Sequence, residues 1–582
     1  MIKSNRLIIS AGLLYGLIAL GHIPVSIFPY AFDKNAPVHF VLLISVSVLY
    51  SLQIIYRQVL YFLPTKILLL VWALVISLFI SAIRSPDLIG ALTGDTGRYT
   101  GVISMLCLLI VAVFHSQFSL GQLHKLIQMY VITIFVISLL GIAQHFKVID
   151  LPGDLGVTGT LGNLDFFGAY VGTGFALFVY LIPHVSRRQQ FVYAGFILVE
   201  LYAVYLAGPL QSFVDIGIIL LALTGYYFRS RLPTFELTLN AKTFFATIGI
   251  IIWLEGIFLM PFLGSFIPVL GNDPQVQIRG QFWLAATRQF TSSPLTGVGP
   301  DQYGNFYDLY RTESSVQQYP QLLANDAHGA PAQTLATLGI FGTIAFVLLL
   351  ALLVRSFFII DKRSKKNRIA YLSIALYLFV FITNSAVSPI TLPHKYLFWA
   401  IAGVVVGNAY RGNLYQKSIN NLRRINCLVL ILILMVPSFY VLLNFIPAQY
   451  RFLVASQSFS KNAEPIPAIR YNNYLPCLIY YPTIATILNQ KSEKDLIIYS
   501  QDQINGNPYC IDAWINLAKI ANNQGDLPTM RTIIYKLIEI APTRGEVINL
   551  AALYANKAND KTLNELVNRQ LLKLNPGLVI IE

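Results

Sequence analysis

The feature that most constrains this chain is a series of apolar blocks, each about 17–25 residues long, the length of a helix that crosses a bilayer. We place thirteen of them, at approximately 7–29, 38–56, 66–83, 100–116, 124–145, 163–182, 190–207, 213–228, 243–263, 331–354, 369–386, 394–410 and 426–446. In lipid a helix satisfies its own backbone hydrogen bonds. The pattern therefore predicts an all-α fold, a polytopic membrane helix bundle of about 12–13 spans.

The basic residues predict the orientation of this bundle. The chain is 55% apolar and 12% charged, with a formal net charge of +14. We do not expect a nucleic-acid partner, because the charges lie in short loops between the apolar blocks. Lys and Arg concentrate in alternate loops, such as 361-DKRSKKNR-368. The positive-inside rule then predicts a cytoplasmic N-terminus. The long loop 264–330 and everything after the last span are expected outside the cytoplasm.

The tail has a soluble composition and a repeat. Its prolines Pro508, Pro542 and Pro576 recur at one spacing, which matches the period of about 34 residues of tetratricopeptide repeats. We predict a transmembrane domain over 1–446, a linker over 447–476 and a repeat solenoid over 477–582. The repeat units would be 477–510, 511–544 and 545–578, and a plain helical hairpin domain is the alternative. Such arrays hold a protein partner. Cys477 and Cys510 lie on the same predicted side, and the sequence leaves open whether they pair.

Three predicted outer regions, 84–101, 157–172 and 278–307, differ from ordinary connections. In the third, Arg279, Phe282, Trp283 and Ala286 repeat at helical spacing. This predicts a short helix on the membrane surface that ends at 292–294. The planar guanidinium of an arginine suits phosphate oxygens, although any single arginine here could be a solvated surface residue.

His328 follows the same region, at the mouth of the next span. A neutral imidazole can take a proton from an attacking hydroxyl, and a simple loop or capping histidine is the alternative. We expect Asp326 to be the N-cap of the following helix. Glu200, Asp215 and Glu255 fall inside predicted spans, where acids either face a polar interior or reach out at span ends. The four cysteines form no metal-like cluster.

Several short motifs, taken in order, resemble one known family. They are Thr-Gly-Thr-Leu-Gly-Asn at 158–163, Arg279-x-x-x-Trp283, Pro294-Leu-x-Gly-Val-Gly-Pro300, Ala327-His328 and Leu338-Gly-Ile-x-Gly342. The chain is similar over roughly 60–440 to the bacterial O-antigen ligase and O-antigen polymerase superfamily, in the branch with C-terminal tetratricopeptide repeats.

The resemblance implies a metal-independent, cofactor-free glycosyltransferase of the GT-C type in the bacterial cytoplasmic (inner) membrane. Such enzymes move a glycan from undecaprenyl diphosphate to an acceptor hydroxyl, on a lipid or a protein, at the outer face. By similarity, His328 would be the base and Arg279 would grip the diphosphate. The implied substrate-binding residues are Arg288, Arg98, Arg84, Gln211, Asn163 and Trp283.

The chain departs from the ligase pattern in one place. Ligases commonly carry a Ser-Arg pair where this chain reads 207-AGPLQSFVDIG-217, with Gln211-Ser212 and no arginine. Arg288 or Arg98 would then supply the second positive charge. A polysaccharide polymerase and a protein O-oligosaccharyltransferase fit the motifs as well as a ligase does. From other classes, a lipid-linked glycan flippase and an inactive membrane scaffold remain as alternatives.

Overall fold

The computed structural model is helical, apart from a pair of three-residue antiparallel strands, Val59–Tyr61 and Gln416–Ser418, among the residues it describes. It describes residues 2–21, 36–56, 59–61, 63–95, 98–151, 156–228, 238–262, 273–320, 322–363, 368–410, 416–418, 443 and 493–574. The predicted all-α class is confirmed. The predicted span 426–446, the linker 447–476 and Cys477 lie outside these residues, except for the single position 443.

Within these ranges, eight helices are long and apolar enough to cross a membrane. They are Thr65–Arg84, Leu120–His145, Leu164–His184, Arg187–Ala207, Leu210–Phe228, Leu239–Phe262, Ala330–Lys362 and Arg368–Val387. Three shorter apolar helices, Ile9–Leu20, Val38–Gln53 and Val102–His115, coincide with predicted spans 7–29, 38–56 and 100–116. A further helix, Leu392–Tyr410, coincides with predicted span 394–410. A multi-pass membrane protein follows from these helices, while the count of thirteen stays a prediction.

The remaining helices are shorter or lie in the tail. They are Leu88–Thr93, Pro274–Ser292, Tyr307–Tyr310, Glu313–Gln318, Glu493–Gly506, Ile511–Gln524, Leu527–Ile540, Gly545–Ala558 and Lys561–Leu574, with 3-10 turns at Gly159–Leu161, Ile182–His184, Met260–Phe262 and Gly304–Phe306. The chain divides into two units by its contacts. We name 1–75, 96–257 and 344–438 the span unit, and 76–95, 258–343 and 439–582 the loop unit.

The span unit packs through small residues. A β-carbon added at Gly403 would lie 2.2 Å from the Ala112 carbonyl oxygen, and one at Gly407 would lie 2.1 Å from that of Ser116. Such small residues at a four-residue spacing let membrane helices approach closely. The helix Leu164–Leu181 is the most buried of the candidate spans, so it forms the centre of this unit.

The acids predicted inside spans have two different environments. Glu200 and Asp215 are fully buried, and Asn384 Nδ2 donates to Asp215 Oδ2 over 2.8 Å. Glu255 is exposed. The span unit therefore has a polar interior at two of these three positions.

In the tail, the helices pack as consecutive antiparallel pairs, each joined by a short turn. Ile511–Gln524 and Gly545–Ala558 begin these pairs, at the predicted starts of the second and third repeat units. Their shared core includes Ile534, Leu537, Val547 and Ala551. We name 493–574 the tail helices. Cys510 is disulfide-bonded. Cys477, whose pairing with Cys510 the sequence leaves open, lies outside the described residues.

Candidate active site

The helix Pro274–Ser292, which we name the platform helix, carries several of the predicted site residues. Asp273 caps it by accepting hydrogen bonds from the backbone nitrogens of Gln275 and Val276, and Pro274 occupies the first turn. The predicted end at 292–294 is confirmed, since the helix ends at Ser292. Phe282 and Trp283 lie on its buried face, so these aromatic side chains pack inside the loop unit.

The two arginines of this helix have different surroundings. Arg279 is partly buried, and its Nη1 donates to the Gln275 carbonyl over 3.1 Å, one turn earlier. Arg288 is exposed, and its Nη1 donates to the carbonyl of Arg311 over 3.2 Å. Arg311 is itself buried and donates to Ser315 Oγ and to the Ser315 carbonyl. Arg311 thus secures the turn around the short helix Glu313–Gln318, whereas Arg279 and Arg288 present guanidinium groups closer to solvent.

His328 lies on a loop, residues 324–329, that we name the histidine loop. Its ring centroid is 4.8 Å from that of Phe282 on the platform helix. Arg279 precedes Phe282 by three positions, which makes the two neighbours on the helix surface. The structure therefore brings the predicted base next to the helix turn that carries the predicted diphosphate ligand.

The tautomer of His328 follows from its hydrogen bond. Nδ1 lies 2.9 Å from the backbone carbonyl oxygen of Asp326. A carbonyl only accepts, so Nδ1 carries the proton and the neutral ring has its lone pair on Nε2. Nε2 is then the atom of this side chain that can accept a proton.

Asp326 does not cap the next helix, and that expectation was wrong. Its carboxylate Oδ1 accepts from the backbone nitrogen of His328 over 2.6 Å, two residues on. The helix begins later, at Ala330. Asp residues favour such local bonds to a backbone nitrogen two positions later. This bond holds His328 at φ +51°, in the left-handed region.

Two glycine motifs meet beside the histidine loop. Val298 N donates to Ala336 O over 3.0 Å, Gly299 N to Thr337 O over 3.1 Å, and Ile340 N to Pro294 O over 2.9 Å. The helix Ala330–Arg363 breaks at Gly339, which has φ +63° and ψ −162°. Its interrupted turn therefore bonds to the turn 294–299, which we name the glycine turn. A β-carbon at Gly297 would lie 2.3 Å from the Thr337 carbonyl carbon, so only glycine fits there.

A polar cluster, which the sequence did not predict, contacts the histidine loop at Asn325. Asn325 Nδ2 donates to Asp95 Oδ2 over 2.8 Å, and Asp95 N donates to Asp301 Oδ2 over 2.8 Å. Burial raises the pKa of Asp87 to about 6, partly offset by the hydrogen bond from Gly90 N, and nearby Asp95 raises it further. The available signals were Gly94-Asp95 and Pro300-Asp301, each an aspartate next to a turn residue.

The other predicted site residues are divided between the two units. Arg84 is exposed at the end of its helix, and Trp283 is 2% exposed, stacked 5.1 Å from Phe258 in the loop unit. In the span unit, Arg98 is buried, and Asn163 caps the helix Leu164–Leu181 by accepting from Asp165 N. Gln211, also there, has a buried Nε2 without a hydrogen-bond partner in the described part of the chain. The binding roles of these five residues stay predictions.

The described residues hold no group of three or more His, Cys, Asp or Glu side chains that could bind a metal ion. Comparison of the chain with models of known protein families and with curated proteins finds no match.

Proposed function

We propose that this protein is an integral-membrane glycan transferase, which moves an oligo- or polysaccharide from undecaprenyl diphosphate to an acceptor hydroxyl at the outer face of the bacterial inner membrane. The observation that carries the proposal is His328. Its ring is held by Asp326 and Phe282 with Nε2 as the proton acceptor, next to the helix turn of Arg279. A base close to a cation is the arrangement that transfer from a diphosphate needs.

The proposed step uses these two groups. The acceptor oxygen attacks the anomeric carbon of the lipid-linked sugar, and its proton passes to His328 Nε2. The bond between the anomeric carbon and the diphosphate oxygen breaks, and the diphosphate leaves with the electron pair. Arg279 stabilises the developing negative charge. The sugar is already activated by its phosphate bond, so no nucleotide is consumed.

The distribution of Lys and Arg supports the placement of this chemistry. The positive-inside rule puts 264–330, and with it His328, on the outer side. A lipid-linked donor reaches such a site through the bilayer, and the acceptor reaches it from water. A ligase, a polymerase and a protein O-oligosaccharyltransferase would share this step and differ only in the acceptor.

The test is the pool of undecaprenyl-linked glycan, measured by mass spectrometry in cells with wild-type protein or His328→Asn at matched membrane levels. Asparagine tolerates the left-handed backbone but cannot act as the base. We expect the lipid-linked glycan to accumulate and one mature glycoconjugate to disappear, and that conjugate identifies the acceptor. Exposed His145→Ala in the span unit is the matched control and should change neither quantity.

An unchanged pool and an unchanged conjugate in His328→Asn would refute the proposal. Arg279→Ala separates the remaining classes, because a scaffold would keep working without that guanidinium and a transferase would not.

A further inference from the structure

The tail helices pack directly on a segment of the loop unit, residues 303–318. We propose that they are a structural part of the active-site loop and that Arg544, between two tail helices, is a positioning residue for His328. This inference rests on the proposed function only in taking His328 as the base. It assigns the tail a role within its own chain, distinct from the capture of a separate protein partner.

Arg544 joins the tail to the loop through two buried acids. Its Nη2 lies 2.6 Å from Asp512 Oδ1, in the preceding helix pair, and its Nη1 lies 3.5 Å from Asp308 Oδ2, in the loop. The side chains of Arg544, Asp512 and Asp308 are 14%, 16% and 5% exposed, respectively. The hydroxyl of Thr543 also donates to the Asp308 backbone carbonyl.

The Asp308 carboxylate depends on this arginine. Burial raises the pKa of Asp308, and Arg544, then Arg311, act against that rise. Asp308 Oδ1 has no hydrogen-bond partner among the residues that the structure describes. Without Arg544, the carboxylate would be buried with little compensation, and at a pH above its raised pKa the segment is stabilised by moving toward water.

Contacts on both sides of Asp308 extend the same interface. The Phe306 and Tyr509 rings are 4.6 Å apart, and Asn507 Nδ2 donates to Asn305 Oδ1 over 3.2 Å. Further along the loop, Val316 belongs to the buried core of the tail helices. A loop residue therefore contributes to the buried core of the tail helices.

From this segment, two sets of contacts lead to His328. The Tyr307 ring is 5.8 Å from Phe282, whose ring is 4.8 Å from His328. Gly304 packs against the histidine loop itself, since a β-carbon there would lie 2.9 Å from the Asn325 Cα. The segment is therefore held between the tail helices on one side and the histidine loop on the other.

The platform helix fixes the start of this segment. Gln289 Nε2 donates to the Tyr303 carbonyl over 3.0 Å, and the Tyr303 hydroxyl donates to the Phe282 carbonyl over 2.8 Å. Any displacement of 303–308 is thereby transmitted to the turn that supports the His328 ring. Coupling of this kind runs through packed side chains and hydrogen bonds.

The experiment compares hydrogen–deuterium exchange of the purified full-length protein in detergent for wild type, Arg544→Met and Arg544→Lys. We expect Arg544→Met to speed exchange at least about tenfold in peptides covering 303–311 and 324–329, while 511–540 keeps its protection. Arg544→Lys keeps one charge and should fall between. Arg569→Met removes an exposed pair with Glu565 in the same tail and is the matched control, with no expected change.

Unchanged exchange of 324–329 in Arg544→Met would overturn the inference. If that variant also loosens 511–540, the double variant Arg544→Met/Asp308→Asn decides, because it removes the buried charge of Asp308 together with its partner. Exchange of 303–311 and 324–329 should then be slower than in Arg544→Met alone, and failure to slow it also overturns the inference.

An activity measurement separates this inference from the proposed function. With the lipid-linked donor, Arg544→Met should lower kcat about tenfold and Arg544→Lys should recover part of that loss, since the base moves out of position. Transfer that persists in His328→Asn would refute the proposed function. The exchange result on 324–329 would still stand or fall by itself.

Discussion

Gly339→Ala should disrupt the hydrogen-bonded contact between the glycine turn, residues 294–299, and residues 336–340. Gly339 has φ +63° and ψ −162°, a combination open essentially to glycine only. A β-carbon there would lie 2.6 Å from both the carbonyl carbon and the oxygen of Leu295. These are backbone atoms, so no side-chain rotation relieves the clash.

The expected cost has two parts. A side chain held in such a backbone region costs about 1–3 kcal/mol, and overpacking costs about 1–3 kcal/mol more. Together they give about 2–6 kcal/mol, which matches or exceeds the net contribution of the three backbone hydrogen bonds, about 1.5–4.5 kcal/mol in total. We therefore expect the three bonds between 294–299 and 336–340 to open before any other part of the loop unit.

Hydrogen exchange of the amides of Val298, Gly299 and Ile340 measures this opening. A cost of about 2 kcal/mol corresponds to at least about 30-fold faster exchange, at about tenfold per 1.4 kcal/mol. Gly249→Ala is the control, because it makes the same change within a helix where nothing lies within 4 Å of the added carbon. If these three amides exchange at the same rate in Gly339→Ala and in Gly249→Ala, the contact at Gly339 does not stabilise the glycine turn, and the prediction is wrong.

Two further predictions concern buried acids. Burial raises the pKa of Asp87 from 3.8 to about 6 in the folded protein. The protonated carboxyl therefore stabilises the fold at low pH, and this contribution of about 3 kcal/mol is lost as the pH rises from about 4 to 6. Asn at position 87 can still cap the helix Leu88–Thr93, so Asp87→Asn should flatten the dependence of Tm on pH. Parallel curves of Tm against pH for the variant and the wild type would contradict this prediction. Asn384→Leu removes the hydrogen bond to buried Asp215 and should cost about 1–3 kcal/mol. A thermal melt should show a lower Tm that Asp215→Asn largely restores, and an unchanged Tm in Asn384→Leu would exclude the role we give this bond.

Sequence patterns predicted the parts of the fold that repeat at short range. The spacing of Arg279, Phe282 and Trp283 predicted the platform helix, and the Ser-Ser-Pro at 292–294 predicted its end, because both signals act within a few residues of chain. The starts of the tail pairs at Ile511 and Gly545 followed from a period for the same reason.

Contacts between distant segments left no such signal. The sequence of the glycine turn is typical of a simple chain reversal, and it does not indicate the hydrogen bonds to residues 336–340. Asp308 and Arg544 are separated by more than two hundred positions, and each taken alone resembles an ordinary surface charge. Asp326 was misjudged because a cap and a local turn use the same side-chain oxygen and differ only in where the helix starts.

The backbone of His328 agrees with the role that we propose for this histidine. Left-handed backbone costs a residue with a β-carbon about 1–2 kcal/mol, and His328 adopts it at φ +51°. Two hydrogen bonds to Asp326, one from the backbone nitrogen and one from Nδ1, offset about 0.5–1.5 kcal/mol each. The same two bonds fix the tautomer and the direction of the ring before any substrate arrives. A preset side chain is the condition under which a base acts without reorganisation, so this geometry supports the role that we propose for His328.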